Sequence, residues 1–287
     1  MSATVNAAPP RAGIIGWPVS HSRSPLLHGY WLRKYGLAGS YERIPIAPEN
    51  FERDFRALAG QGFAGANVTI PHKQSAMRCC DSLDPVATRL GAVNTVRIVN
   101  GRFEGSNTDG YGFMENLHDG APDWKAGQGP AIIIGAGGAA RAVIMALGDA
   151  CVPEIRLFNR TRARADQLVS DLGGPVSTYD WDRLSGSLAD CALLVNCSSL
   201  GMAGQPALEI SLQALPRTAY VYDLVYTPLQ TPLLAAAAAR GNPTIDGLGM
   251  LLHQARPGFA AWFGRMPEVD AGLRDLLKAD IENAEGK

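Results

Sequence analysis

Residues 135–141 have the sequence Gly-Ala-Gly-Gly-Ala-Ala-Arg and directly follow an apolar run at 131–134. Glycine tolerates the tight turn and lets backbone N–H groups approach a pyrophosphate, whose charge the N-terminus of the next helix stabilises. The pattern predicts a dinucleotide-binding loop formed by Gly135, Ala136, Gly137, Gly138 and Ala139. Because the last glycine of the strict fingerprint is missing, close packing of a helix on a strand stays open as an alternative.

A cationic cluster follows the next predicted strand, with Asn159, Arg160 and Thr161 at its end and Arg162 and Arg164 close behind. NAD-binding sheets commonly carry an acidic residue there for the ribose 2′-hydroxyl. Guanidinium groups instead match the oxygens of a 2′-phosphate. We therefore predict NADP as the cofactor, bound by Asn159, Arg160, Thr161 and Arg164. The alternative is a helix start capped by Asn159 or Thr161, with its arginines in solvent.

Three polar segments lie at the ends of predicted strands, where open α/β sheets bind ligands. They are residues 20–25, 67–73 and 106–110. The hydroxyl groups of Ser22, Ser24 and Thr69 can hold a substrate carboxylate. Lys73 and Asp109 offer the proton-transfer pair that oxidation of a hydroxyl to a ketone requires.

Each of these residues also has a structural alternative. Ser22 and Ser24 could cap the helix that follows them, and Thr69 could cap the next one. Lys73 could be a solvated lysine in a first helical turn, and Asp109 could belong to an ordinary Asn-Thr-Asp-Gly turn. Four of the five histidines, at positions 21, 28, 72 and 253, are expected to be scaffold residues rather than bases.

The elements that must position these groups alternate along the chain, which predicts an α/β fold with parallel sheets and right-handed crossovers. Strands are predicted at 12–16, 41–46, 63–69, 92–99, 102–106, 131–134, 154–158, 193–197 and 219–224. Helices are predicted at 25–35, 48–59, from Pro71, at 111–117 and within 248–287. A hairpin is predicted around Asn100-Gly101.

Composition limits the function classes. A chain of 287 residues with 46% hydrophobic residues can form two domains, and a net charge of −1 without a basic stripe argues against nucleic-acid binding. Five cysteines without a C-x-x-C pair indicate reduced thiols and no metal site. The N-terminus does not look like a targeting segment, and the longest apolar run, 233–239, is too short to span a bilayer. We expect a cytoplasmic protein that binds a small molecule and no membrane.

Seven ordered motifs between residues 13 and 263 resemble the shikimate dehydrogenase family. They are residues 16–25, 67–73, 91–95, 107–110, 135–141, 159–161 and 249–254. The resemblance implies an oxidoreductase that reduces 3-dehydroshikimate to shikimate with NADPH in chorismate and aromatic amino acid biosynthesis, as a monomer or homodimer. One departure is Gly29, where the family usually has asparagine after histidine; this weakens local packing arguments but not the catalytic assignment.

The resemblance also assigns roles to particular residues. The residues that match the carboxylate-binding positions are Ser22, Ser24, Thr69 and Tyr226. Lys73 and Asp109 match the catalytic pair, and Asn94 and Gln254 match groups that hydrogen-bond the ring hydroxyls. An ammonium group at Lys73 would stabilise the alkoxide that forms during hydride transfer and donate its proton.

The resemblance further implies a two-domain α/β architecture. Residues 11–110 and 248–287 are expected to form a substrate-binding and catalytic domain with a mostly parallel sheet, to which the C-terminal helices return. Residues 111–247 are expected to form a Rossmann-type NADP-binding domain. Met202 and Gly249 are expected to lie at the cofactor, with core packing open as the alternative for Met202.

Three other functions remain open from the sequence. A quinate/shikimate dehydrogenase of broader specificity would use NAD more readily, but Ser24 and Arg160 argue against it. A catalytically silent sensor of a nucleotide or metabolite would not need both Lys73 and Asp109. Another two-domain NADP enzyme could share only the nucleotide-binding half.

Overall fold

The computed structural model describes residues 8–285, which form twelve strands and ten α-helices joined by loops and short 3-10 turns. The strands are β1 Arg11–Gly16, β2 Ser40–Pro45, β3 Phe63–Val68, β4 Ser82–Leu83, β5 Thr95–Val99, β6 Arg102–Ser106, β7 Ala131–Ile134, β8 Ile155–Phe158, β9 Val176–Tyr179, β10 Leu193–Asn196, β11 Tyr220–Asp223 and β12 Thr244–Ile245. The helices are α1 Ser24–Tyr35, α2 Phe51–Ala57, α3 Lys73–Cys79, α4 Pro85–Leu90, α5 Asp109–Gly120, α6 Gly138–Asp149, α7 Arg162–Leu172, α8 Pro232–Ala239, α9 Leu248–Phe263 and α10 Ala271–Glu285.

The chain divides into two compact units. The first contains the residues up to Thr108 together with Ala255–Leu273, and the second contains Asp109–Gln254 together with the residues from Arg274 onward. The sequence-based domain boundaries differ from this division at the C-terminal end, because they assign all of 248–287 to the first domain. In the structure α10 contributes to the second unit, where Arg274 forms an ion pair with Asp246.

The first unit contains a six-stranded sheet in the order β2-β1-β3-β5-β6-β4. Strand β1 runs parallel to β2 and β3, whereas β5 is antiparallel to β3 and β6. The ends of β1, β3 and β6 and the start of β5 therefore lie at one edge of this sheet. The predicted polar segments at 20–25, 67–73 and 106–110 all adjoin that edge.

The hairpin between β5 and β6 is confirmed. Asn100 and Gly101 have φ values of 52° and 76°, so both central residues adopt the left-handed conformation of a type I′ turn. Two helix predictions need correction. The helix expected to start at Pro71 begins at Lys73, because the His72 N–H donates to the Thr69 carbonyl and closes a turn first. The helix expected at 48–59 is a short α-helix between two 3-10 turns.

The second unit contains six parallel strands in the order β12-β11-β10-β7-β8-β9. The strand order reverses between β7 and β10, and open α/β sheets bind ligands beyond the carboxyl ends of the strands at such a point. Fully buried side chains such as Ile133, Leu157 and Val195 pack with the apolar face of α6, including Val143 and Leu147. The predicted Rossmann-type architecture is confirmed. Within 8–285, no helix is long and apolar enough to cross a membrane.

Candidate active site

A cleft of about 270 Å³ lies in the second unit at the carboxyl ends of β7, β8 and β10. Six predicted cofactor residues line it: Gly135, Ala136, Gly137, Asn159, Arg160 and Arg164. Its wall also contains residues that the sequence analysis did not assign to the cofactor: Trp181, Cys197, Ser198, Ser199 and Leu200. The glycine loop and the cationic cluster thus belong to one site, as the two motifs predict.

Different structural constraints explain the glycines of this loop. Gly135 has φ of 104°, and a Cβ there would lie 3.0 Å from the backbone nitrogen of Ser198. Its small size is therefore explained by protein packing and backbone conformation. A Cβ at Gly137 or Gly138 would meet no atom within 4 Å. The packing alternative consequently fails for these two positions, whereas a pyrophosphate approaching the N-terminus of α6 would need their open space.

The arginines at the end of β8 also divide into two kinds. Arg162 pairs with Asp166 at 3.0 Å and with Asp180 at 2.6 Å. The exposed side chains of Arg160 and Arg164 have no hydrogen bond or ion pair to any residue within 8–285, and both line the cleft. Two unpaired guanidinium groups at this strand end fit a ribose 2′-phosphate.

Helix capping does not explain the neighbouring polar residues. Thr161 occupies the N-cap position of α7 but makes no side-chain capping bond. Asn159 lies two residues before this N-cap, and its side chain donates to the Thr161 carbonyl oxygen at 2.8 Å. Of the other predicted cofactor residues, Gly138 and Ala139 form the first turn of α6. Met202 is 40% exposed and lies outside the cleft lining.

Gly249 lies in α9, where it packs against another helix. A Cβ at this position would lie 1.7 Å from Oδ1 of the buried Asn116 in α5. The Asn116 side chain is itself held by hydrogen bonds to the Tyr222 hydroxyl at 2.7 Å and to the Asp246 carbonyl at 2.8 Å. Helix packing therefore suffices to require glycine at 249, and its predicted contact with the cofactor stays a prediction.

In the first unit, Ser22 and Ser24 lie together after β1. Their hydroxyl oxygens are 3.2 Å apart, and the Ser24 N–H donates to Ser22 Oγ at 3.3 Å. Arg43 fixes the turn by donating to the Ser22 carbonyl at 2.8 Å. The N-cap of α1 is Arg23, which makes no side-chain capping bond, so the bond from the Ser24 N–H to Ser22 Oγ is the serine contact with the helix start that matches the capping alternative.

Thr69, Lys73 and Asn94 are brought to the same sheet edge by backbone hydrogen bonds. The Thr69 N–H donates to Ile15 in β1 at 2.9 Å, and the Val68 N–H donates to the Asn94 carbonyl at 2.8 Å. Lys73 opens α3, and its carbonyl accepts from Val93 at 3.0 Å. Because the N-cap of α3 is His72, Thr69 does not cap this helix.

The side chain of Asn94 is buried and built into a polar network. Its Oδ1 accepts from the Thr95 hydroxyl at 2.9 Å and from the Thr108 N–H at 2.9 Å. Asn67, which the sequence analysis did not single out, donates to the Thr95 hydroxyl at 3.1 Å and accepts from Tyr41 at 2.7 Å. The Oδ1 atom of Asn94 therefore serves the scaffold.

The histidines behave as scaffold residues. His72 hydrogen-bonds the Ile46 carbonyl at 2.7 Å, and His253 lies 2.9 Å from a carboxylate oxygen of Asp119. His28 stacks on Tyr41 with ring centroids 3.8 Å apart, and burial lowers the pKa of His28 to about 3. A histidine that stays neutral at physiological pH and lies beneath an aromatic ring is suited to packing.

In the second unit, Asp109 in α5 and Gln254 in α9 lie on two helices that pack against each other. Asp109 is the first residue of α5 and is only 6% exposed, so it is helical rather than part of a turn. Gly112 follows one helical turn later, on the same face. A Cβ at Gly112 would lie 2.6 Å from the Cβ of Gln254, which places Gln254 directly against the first turns of α5.

Tyr226 is half-buried in the loop after β11. The preceding residue, Val225, donates its N–H to Asp223 at 3.0 Å, and the following Thr227 accepts from Ala203 at 2.8 Å. These bonds tie the Tyr226 loop to the segment that carries Met202. The predicted residues therefore form ordered groups within each unit.

Sequence profiles of three families match the chain. The substrate-binding domain of shikimate dehydrogenase matches residues 14–96, shikimate/quinate 5-dehydrogenase matches 123–203, and the C-terminal domain of shikimate 5′-dehydrogenase matches 247–276. A shikimate dehydrogenase (NADP⁺) from Paramagnetospirillum magneticum is 60% identical over 93% of this chain and 97% of its own length. One from Paracoccus denitrificans is 52% identical over 94% and 96% of the respective chains.

Two solved structures are also similar to this chain over nearly its whole length. Shikimate 5-dehydrogenase from Thermus thermophilus, in complex with NADP(H) and shikimate, superposes with a TM-score of 0.82 at 35% identity and covers 96% of this chain and 99% of its own. Quinate dehydrogenase from Corynebacterium glutamicum, in complex with NAD, superposes with a TM-score of 0.87 at 31% identity and covers 95% and 99%.

Proposed function

This chain belongs to the shikimate dehydrogenase family, and we propose on that basis that it catalyses the reversible, NADP-dependent reduction of 3-dehydroshikimate to shikimate. The observation that carries the proposal is the similarity to NADP⁺-dependent enzymes of this name over nearly the whole chain. The unpaired guanidinium groups of Arg160 and Arg164 support the choice of NADP.

The cofactor would lie in the cleft at the carboxyl ends of β7, β8 and β10. Bound NADP⁺ supplies the hydride acceptor for oxidation of shikimate. Backbone N–H groups at the start of α6 would hold its pyrophosphate, since Gly137 and Gly138 leave room for close approach. Arg160 and Arg164 would pair with the 2′-phosphate, and Asn159 and Thr161 would complete the adenosine end.

The substrate would be held at both ends of its ring. We assign the carboxylate to the hydroxyl groups of Ser22, Ser24 and Thr69, with Tyr226 as a further donor. Asn94 and Gln254 would hydrogen-bond the ring hydroxyls, which fixes the reacting carbon in one orientation. This assignment is supported by the 3.2 Å separation of the two serine oxygens and by the position of Thr69, which is not the N-cap of α3.

Lys73 and Asp109 would move the proton. In the reducing direction, hydride adds to the carbonyl carbon while Lys73 Nζ donates its proton to the carbonyl oxygen, so that a hydroxyl group forms. In the oxidising direction the hydroxyl proton returns to this pair as the carbon–hydrogen bond breaks. Asp109 would orient the lysine ammonium group, a role suited to a buried carboxylate at the start of a helix.

The test is a rate measurement with shikimate or quinate as substrate and NADP⁺ or NAD⁺ as oxidant, in all four combinations. We expect turnover with shikimate and NADP⁺. Lys73→Ala should lower kcat about 10²–10⁴-fold, the usual effect of removing a positioned proton-transfer group. Arg78→Ala is the matched control, because Arg78 is an exposed cation on the same helix and donates a hydrogen bond to the Ser75 hydroxyl at 2.9 Å.

Other results would favour the alternatives. Turnover mainly with quinate or NAD⁺ would identify a broader quinate/shikimate dehydrogenase. Absence of turnover in every combination, with NADP⁺ still bound, would favour a silent sensor. An unchanged rate in Lys73→Ala would reject the proton-transfer assignment while leaving the substrate assignment in place. A cytoplasmic location and a monomeric or homodimeric state stay predictions.

A further inference from the structure

Asp223 is a fully buried carboxylate at the carboxyl end of β11, and the proposed chemistry does not use it. Its Oδ1 accepts hydrogen bonds from Asn196 Nδ2 at 2.9 Å and from the Val225 N–H at 3.0 Å. Its Oδ2 accepts from the Thr231 hydroxyl at 2.7 Å. The two oxygens thus join three separate segments of the second unit.

The Asn196 side of this network reaches the cofactor cleft. Asn196 ends β10 directly opposite Asp223 and is also fully buried. Its Nδ2 donates to the Leu200 carbonyl at 3.0 Å, and its Oδ1 accepts from the Ser198 N–H at 3.0 Å and the Ser198 hydroxyl at 2.7 Å. Ser198 and Leu200 line the cleft, so Asn196 sets the conformation of the cleft wall.

The Val225 side of the network reaches the proposed substrate contact. The bond from the Val225 N–H to Asp223 closes a tight turn immediately after β11. Tyr226 is the next residue. One carboxylate oxygen therefore fixes both the wall of the cofactor cleft and the start of the loop that carries Tyr226.

We propose that Asp223 is a positioning residue that aligns the cofactor-cleft wall with the Tyr226 loop through its shared acceptor oxygen. This inference rests on the proposed function for the role of Tyr226 and of the cleft. Asp223 is fully buried, and it would act through Asn196 and the Val225 N–H.

Stability alone does not explain this carboxylate. Burial raises the pKa of Asp223 to about 6, so the ionised group is unfavourable for folding at neutral pH. No lysine, arginine or histidine within 8–285 pairs with it, and its three donors are all uncharged. The pKa of the Cys197 thiol is raised by burial and further by Asp223.

The experiment compares three variants. Asp223→Leu removes the acceptor and leaves the Asn196 amide and the Val225 N–H without it. Asp223→Asn keeps a shared carbonyl oxygen for both donors, and its amide can donate to Thr231. The matched control is Asn242→Leu, because buried Asn242 hydrogen-bonds the carbonyl groups of Pro216 and Ala219, before the opposite end of β11.

The readouts are the NADP⁺ dissociation constant by calorimetry, and kcat and KM for shikimate. We expect Asp223→Leu to raise the dissociation constant and KM about tenfold each, as loss of a buried acceptor would. Asp223→Asn should restore both to within about twofold of the parent protein. Asn242→Leu should lower Tm but leave both constants within about twofold.

Three results would overturn the proposal: ligand constants unchanged in Asp223→Leu, equal constants in Asp223→Leu and Asn242→Leu, or no rescue by Asp223→Asn. If Asp223→Leu does not fold, Asp223→Ser is measured instead, since its shorter side chain has no oxygen at the Oδ1 position that both donors share. Failure of the proposed function would appear separately, as absence of shikimate oxidation in the parent protein. In that case the NADP⁺ dissociation constants still test whether Asp223 positions the wall of the cofactor cleft.

Discussion

At the scale of single residues, the chemistry of this protein depends on which polar groups the fold has already used. Arg162 has two carboxylate partners and lies outside the cleft lining, whereas Arg160 and Arg164 line the cleft and could pair with a ligand. Asn94 likewise has its carbonyl oxygen engaged by Thr108 and Thr95. The hydrogen bonds and ion pairs that a side chain makes within the fold therefore decide whether it can bind a ligand, even between neighbouring residues of the same type.

The cofactor preference should follow from this division. Arg160→Ala and Arg164→Ala should each raise KM for NADP⁺ about 10–100-fold, because each removes a charge-assisted bond to phosphate. KM for NAD⁺, which lacks the 2′-phosphate, should change little. Arg162→Ala serves as the control on the same turn. The ratio of kcat/KM for the two cofactors is the measurement, and an equal loss in Arg162→Ala would contradict the assignment.

Ionisation of Asp223 should make the free energy of unfolding depend on pH. Its pKa is raised by burial from 3.8 to about 6, so the folded protein holds this proton more tightly than the unfolded chain. The favourable contribution is complete below the unfolded value and is lost as pH rises through about 6. Above that pH the ionised group costs at most about 3 kcal/mol.

Asp223→Asn should therefore be more stable than the parent protein at neutral pH, with the difference shrinking on acidification below about pH 6. Urea unfolding across this pH range measures it. Asp81→Asn is a control of opposite sign, because the Phe103 N–H and Arg56 lower the pKa of Asp81. Its deficit in stability should shrink as pH falls through the lowered pKa. A difference between Asp223→Asn and the parent that does not vary with pH would refute the first expectation.

At the scale of elements, helices α5 and α9 approach closely through glycine. Gly112 lies against Gln254, and Gly249 lies against Asn116. Neither has a positive φ, so steric space rather than backbone freedom requires glycine at these positions. The two contacts hold Asp109 at the start of α5 near Gln254 in α9. Helix packing thus places two predicted site residues.

Gly249→Ala should destabilise the protein by about 1–3 kcal/mol, because the added methyl group overlaps a buried side chain that is fixed by two bonds. Gly148→Ala is the matched substitution within a helix, since its Cβ would lie 3.8 Å from the nearest atom. That change should stabilise by about 0.5–1 kcal/mol. Thermal unfolding of both variants tests this prediction. Equal Tm values for the two variants would show that α5 and α9 can move apart without loss of stability.

The elements that the sequence predicts well are those with a local pattern. The apolar run of β7, the glycine loop before α6 and the Asn-Gly hairpin each carry their signal within a few residues. Helix α8 carries none, because its alanines give no polar face from which a period can be read. Strand β12 has two residues and exists only through pairing with β11.

The same limit applies to the candidate site. Ser22, Thr69 and Lys73 lie in recognisable motifs, whereas Trp181 enters the cleft from a 3-10 turn after β9 without any local signal. Asn196 and Asp223 are 27 positions apart, and only the pairing of β10 with β11 brings them together. Long-range contacts of this kind cannot be inferred from one chain without its fold.

At the scale of the whole molecule, the nucleotide cleft is built entirely from residues of the second unit. NADP⁺ should therefore bind and stabilise the protein without shikimate. At a free concentration one hundred times the dissociation constant, the expected gain is about 2.7 kcal/mol. Thermal melts with NADP⁺, with NAD⁺ and with neither measure it. No shift with NADP⁺ alone would contradict this independence, and Arg160→Ala should reduce the NADP⁺ shift selectively.

The exposure of Arg160 and Arg164 has a consequence for how this enzyme can evolve. Neither side chain makes a hydrogen bond or ion pair to the residues from 8 to 285, and exposed substitutions of this kind usually change stability by no more than about 0.5 kcal/mol. Given the proposed contacts with the 2′-phosphate, mutations at these positions would alter the nucleotide requirement while the folded population stays nearly constant. Cofactor usage would then be easier to change by mutation than Gly249 or Asn196, where a change must first survive selection for folding.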